Sequence, residues 1–228
     1  VRARFRFTKL GKVRWTSHRD VARMWERALR RVRMPVAYSG GFAPRPRIAF
    51  GLALPTGCES VAEYLDVELA EPAAVDPGEL SAALPVGVDV TAWAVLDGDG
   101  GSLQEQVTSC TWLVDAGPDA AELAAAVRDA PSLVVTRERK GREVTDDLRP
   151  AVLGLEADGR WLVVELATRP RGVRPGELLA AVRPGVTVGC VRRTHQWIER
   201  DGARFEPLPV ADGSPEATAA PHARLRAS

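Results

Sequence analysis

Cysteine is scarce in this chain, and what there is sits far apart. The three residues, Cys58, Cys110 and Cys190, are odd in number and include no Cys-x-x-Cys pair. That spacing argues against a disulfide framework, a zinc site or an iron–sulfur cluster held by this chain alone. Histidine is equally sparse, with three residues, one of them His222 in the Pro/Ala-rich C-terminal stretch. Little material is left for metal ligation or general-base chemistry. The phosphate-binding pattern GxxxxGK[ST] is absent, so the chain carries no P-loop. Long apolar runs are missing too. None approaches the roughly 18–20 residues needed to cross a bilayer. The opening stretch VRARFRFTKLGK alternates and is basic, without the apolar centre of a secretory signal. These absences predict a cytoplasmic setting and no membrane partner.

What the chain does have is an uneven distribution of charge. Its 228 residues are 45% hydrophobic and 27% charged, with a net charge of +1. That composition can bury a sizeable core. Residues 1–60, however, hold 14 Lys/Arg against 3 Asp/Glu, a local +11. Residues 61–130 hold 1 against 14, a local −13. Positive charge gathered in one segment suits an anionic partner such as RNA. Solvated strand and helix faces are the plainer alternative.

The pattern of apolar residues predicts an α+β fold. Arg2–Phe7 alternates, with Ala3, Phe5 and Phe7 on one face and arginine on the other. A short strand is expected at Val13–Trp15. Ser17 and Asp20 fit a capping box ahead of a helix running to about Arg33, where Val21, Met24, Trp25, Ala28, Leu29 and Val32 share a face. Further strands are expected at Val36–Tyr38, Ile48–Leu54, Ala62–Leu69 and Val88–Leu96, with a helix at Pro77–Leu84. The order strand, helix, strands, helix, strand suits a ferredoxin-like unit, and the second half repeats it without sequence self-similarity. The reading is two tandem ferredoxin-like (βαββαβ) units, residues 1–96 and 107–206. A linker covers 97–106 and a disordered tail 207–228.

Two segments could carry chemistry. Ser17-His18-Arg19-Asp20 puts hydroxyl, imidazole and carboxylate within one turn; His18 is the one weak catalytic candidate, and helix capping is the simpler role for its neighbours. The loop Tyr38–Arg47 is the sharper signal. Gly40 and Gly41 permit close backbone approach, Arg45 and Arg47 can fork onto phosphate oxygens, and Tyr38 and Phe42 can stack on bases. Arg19, Arg23, Arg27, Arg30 and Arg31 form a basic helix flank.

The run from Trp15 to Leu69 resembles the signature of the radical-SAM-linked proteins, an uncharacterised bacterial family found beside, or fused to, B12-binding-type radical SAM proteins. The matching positions are Ser17, His18 and Asp20; Arg27–Arg31; Pro35, Tyr38, Ser39, Gly41, Phe42, Pro44 and Pro46; and Leu54, Pro55, Gly57, Ser60 and Glu63. Ala43 stands where members often place His or Asn. The resemblance implies a radical SAM enzyme as partner, with the iron–sulfur cluster, S-adenosylmethionine and B12 on that partner and no cofactor on this chain. The resulting expectation is a non-catalytic RNA-binding or substrate-presenting partner, acting in RNA modification or processing. Its contact residues would be Ser17, His18, Arg23, Arg27, Arg31, Tyr38, Ser39, Gly41, Phe42, Arg45 and Arg47. The alternatives are a ribonuclease using His18, and an interaction module that docks an acidic protein surface.

Overall fold

The structure, a computed structural model, describes residues 1–96 and 101–208. The start of the expected linker, 97–100, and most of the expected tail, 209–228, lie outside the described residues. The fold is α+β. Strands β1 (Arg2–Lys9), β2 (Ile48–Phe50), β3 (Glu59–Glu68) and β4 (Val90–Leu96) come from the first half, with helices α1 (His18–Arg31) and α2 (Pro77–Ala83). The second half supplies α3 (Leu103–Gln106), β5 (Ser109–Asp115), α4 (Ala120–Asp129), β6 (Val134–Arg139), β7 (Arg142–Asp147), β8 (Val152–Asp158), β9 (Trp161–Ala167), α5 (Pro175–Val182), β10 (Val191–Arg200) and β11 (Ala203–Phe205).

One nine-stranded mixed sheet runs through both halves in the order β4-β1-β3-β10-β5-β9-β8, with β2 added to β3 and β11 to β10. The β6-β7 hairpin stands apart. The halves meet where β10 pairs in parallel with the start of β3, Arg192 opposite Glu59 and Arg193 opposite Ser60. The far end of β3 is taken by β2, which pairs Ile48 with Val67 and Phe50 with Leu65. A single edge of β3 thus holds both its local partner and the second half.

Side-chain alternation sets the layers. On β1, Ala3, Phe5 and Phe7 face α1, and Trp25 of α1 packs on Phe5 and Phe7 with ring centroids 5.9 and 5.0 Å apart. Val21, Trp25, Ala28 and Leu29 form the buried stripe of α1, as a helix packed on a sheet requires. A second core forms around Trp112, Leu123, Val127, Leu162 and Leu178. The other face of the first-half sheet carries a smaller cluster of Ala62, Tyr64, Leu103 and Leu208.

Several expectations change at this level. Val13–Trp15 lies in a short 3-10 turn, Gly11–Trp15, rather than a strand. Gly11 sits at φ +68, a left-handed conformation that breaks extended geometry. Val36 and Tyr38 make only isolated bridges, to Leu69 and Pro46. The second strand stops at Phe50, and Leu103–Gln106 is helical, not linker. Pro207 and Leu208, placed in the tail by composition, are buried. The Pro207 carbonyl accepts a hydrogen bond of 2.8 Å from Arg4 Nη1.

Candidate nucleic-acid interface

Ser17 caps α1 in the capping-box arrangement. Its Oγ accepts from the Asp20 backbone N–H at 3.2 Å, and the Asp20 carboxylate accepts from the Ser17 N–H at 3.2 Å and from its hydroxyl at 2.6 Å. Those hydrogen bonds from Ser17 hold the Asp20 carboxyl below its ordinary range. His18 is exposed and stands edge-on to Phe50, ring centroids 5.2 Å apart. Hydroxyl and carboxylate are thus spent on each other, and the imidazole meets a phenyl ring. These three side chains form no proton relay.

Behind His18 lies a small cleft lined also by Phe7, Lys9, Phe50, Leu54 and Glu63. His18, Leu54 and Glu63 come from separate motif blocks and meet here through the fold. Lys9 is buried and donates to the Thr16 carbonyl at 2.9 Å; burial pulls its ammonium below the usual lysine range. Glu63 is gripped by Arg193 of β10, at 2.6–3.1 Å. Arg193 also donates to the Leu52 carbonyl at 2.8 Å. Next to it, Glu59 accepts from Arg192, Arg14, the Gly11 N–H and the Cys190 thiol. Burial alone would raise the Glu59 carboxyl, but these donors outweigh it and hold it at about 2. Burial pushes all three cysteine thiols upward, Cys110 to about 11, so none is an activated thiolate. The chemistry of this region is a satisfied ionic seam between the halves. The pairing of Glu59 and Glu63 with Arg192 and Arg193 escaped the sequence reading because contact across about 130 positions leaves no local signal.

The Tyr38–Arg47 segment doubles back on itself. The Ser39 N–H donates to the Arg45 carbonyl at 2.8 Å, the Arg45 N–H to Ser39 Oγ at 3.0 Å, and the Arg47 N–H to the Ala37 carbonyl at 2.8 Å. Gly41, at φ +108, turns the tip in a conformation that disfavours side chains. Phe42 at that tip is fully exposed, and Tyr38 is half exposed. Ser39 is thus a loop clamp, and Gly41 the bend that presents Phe42.

The basic residues separate into two groups. Arg4 forms a buried pair with Asp66, with Nε and Nη2 donating at 2.7 and 2.9 Å. Arg6 meets Glu206 at 3.3 Å, Arg14 meets Glu59 at 3.2 Å and Arg47 meets Glu68 at 2.7 Å. Arg23 lies 3.9 Å from Asp20. Arg19, Arg27, Arg30, Arg31 and Arg45 are exposed, and among the described residues none of the five has an acidic partner within ion-pair distance. The expected contact residues therefore divide. Arg27, Arg31, Arg45, Tyr38 and Phe42 remain available at the surface; Arg47 is tied to Glu68, and Ser17 to the helix cap. Arg33, not singled out from sequence, lines a cleft with Tyr38 and with Arg30 of the helix flank.

Residues 2–175 match a family described as an uncharacterized protein conserved in bacteria, DUF2344. No curated protein matches. Among solved structures, a chain of the crystal structure of a Cbf5-Nop10-Gar1 complex is similar at 11% sequence identity, with a TM-score of 0.45. That likeness covers 85% of this chain and 48% of the other, so this chain spans about half its length.

Proposed function

The chain belongs to this bacterial family of uncharacterized proteins, DUF2344, and we propose that it is a non-catalytic RNA-binding protein that presents its RNA to a radical SAM enzyme. The observation that carries the RNA part is the free set of cations on α1 and the neighbouring loop. Arg27, Arg30, Arg31 and Arg45 are exposed with no acidic partner among the described residues, and Phe42 is fully exposed at the loop tip. Guanidinium groups that grip phosphates and an aromatic ring that stacks on a base are the two components of sequence-tolerant single-strand binding. The radical SAM partner rests on the resemblance of the Trp15–Leu69 run, and the cluster and its cofactors would reside on that enzyme. Two tandem ferredoxin-like units are the finer reading of the fold. The strand order β4-β1-β3-β2 in the first half and β10-β5-β9-β8 in the second support it.

A gel-shift salt titration tests the proposal. Phosphate contacts predict a steep linear loss of log affinity with log salt, roughly 0.7 per phosphate for a single strand. Absence of binding to single-stranded and structured RNA at low salt would remove the RNA part. Co-purification with a radical SAM enzyme, repeated after nuclease, distinguishes an RNA bridge from direct docking. A ribonuclease role for His18 predicts cleavage that disappears in His18→Ala; with Ser17 and Asp20 bonded to each other, no loss is expected.

A further inference from the structure

The last turn of α1 and the chain that follows it leave an open-sided cleft of about 160 Å³. Its apolar lining comes from Leu29, Met34, Val36 and Ile48. Tyr38 and Pro46, joined across the base of the loop, line it too. The polar lining is Glu26, Arg30 and Arg33. Glu26 and Arg30 are four residues apart with the acid first, the favoured order for a helical ion pair. They nevertheless stand apart, and among the described residues none of the three has an ion-pair partner.

We propose that this cleft receives a single cytosine of a bound RNA strand, an inference that rests on the RNA-binding reading above. Size selects one ring. An aliphatic cavity of roughly 150 Å³ takes up a benzene-sized ligand, so the cleft covers one pyrimidine ring, whereas a purine leaves its second ring outside in solvent. The ring would lie against the aliphatic residues and Tyr38, as unstacked RNA bases do on aromatic side chains. Glu26 then selects between the pyrimidines. A carboxylate accepts from the exocyclic amino group of cytosine. Uracil places a carbonyl oxygen at that position, and two acceptors repel. Arg30 and Arg33 supply the charge for flanking phosphates. One acid in an otherwise basic rim thus serves discrimination rather than affinity.

The test uses the full chain and fluorescence anisotropy with labelled eight-nucleotide oligocytidylate, oligouridylate and oligoadenylate. The expected result is roughly fivefold or greater preference for oligocytidylate, the worth of one well-made hydrogen bond. Glu26→Gln, whose amide both donates and accepts, should bring oligocytidylate and oligouridylate within about twofold of each other. Arg30→Ala should weaken all three probes alike. Equal affinity of the native chain for the three overturns the cytosine site and leaves RNA binding standing. A preference that survives Glu26→Gln overturns the role of Glu26. No binding to these probes or to structured RNA at low salt overturns both readings.

Discussion

Strand β1 and helix α1 both carry closely spaced arginines, and the protein treats the two sets in opposite ways. Arg4 on β1 is buried against Asp66, and Arg6 reaches Glu206. On α1, Arg27, Arg30 and Arg31 stand in solvent with no acidic partner among the described residues. The difference follows from geometry. A central strand has neighbours on both edges, so its outward side chains fall beside those of β3 and beneath Glu206–Leu208. A helix packed by one buried stripe turns its remaining face, here that of Arg27, Arg30 and Arg31, to solvent. Segment charge alone, a local +11, cannot tell structural arginine from available arginine.

The sharpest way to break the comparison is to remove one partner of a buried pair. Asp66→Ala leaves the Arg4 guanidinium buried and uncompensated, and should cost about 3–5 kcal/mol. Urea denaturation at neutral pH reads it directly, as a fall in midpoint with unchanged slope. An unchanged midpoint would mean that Arg4 reaches water and that β1 is no different from α1.

Acid should have a slightly smaller effect. Glu59 is held at about 2 in the folded chain, against a reference value of 4.5. A depressed carboxyl stabilises the fold above its unfolded pKa, and that stability drains away as pH falls from about 4.5 towards 2. The shift corresponds to about 3 kcal/mol. Glu59→Gln should flatten this part of the stability–pH profile. A profile identical to that of the native chain would show that Arg14, Arg192, Gly11 and Cys190 do not favour the ionised form.

An exposed pair gives a milder contrast. Arg47 and Glu68 meet at 2.7 Å, but both side chains are about half exposed. Glu68→Ala should cost no more than about 1 kcal/mol, measurable as a small shift in urea midpoint. It frees Arg47 beside Arg45, so RNA affinity should rise. A fall in affinity would place Glu68 itself in the interface.

How much of this was readable beforehand depends on the range of the interaction. The alternation of Ala3, Phe5 and Phe7 and the stripe of Val21, Trp25, Ala28 and Leu29 are local periodicities, and they mark the core faces of β1 and α1 correctly. The capping box of Ser17 and Asp20 spans three residues and is equally legible. Val13–Trp15 looked like a strand because two of its three residues are large and apolar; one left-handed glycine at position 11 turns it into a 3-10 segment. The union of both halves in one sheet depends on Arg192 and Arg193 meeting Glu59 and Ser60. Nothing in either short stretch advertises the other. The cleft beside Tyr38 is likewise invisible until the loop folds back and brings Pro46 and Ile48 against the end of α1.

The smallest effect on stability should come from the set that matters most for binding. Arg27→Ala with Arg31→Ala removes two exposed cations from α1, both good helix formers replaced by a better one. Folding stability should stay within about 0.5 kcal/mol of the native chain. The RNA salt dependence should become shallower by about 1.4 in slope, two contacts at roughly 0.7 each. That pairing of outcomes separates the two arginine populations on one molecule. A double variant that unfolds would assign the α1 arginines to the fold, as on β1. One that folds and binds RNA with an unchanged slope would move the interface away from this helix and leave the loop to carry it alone.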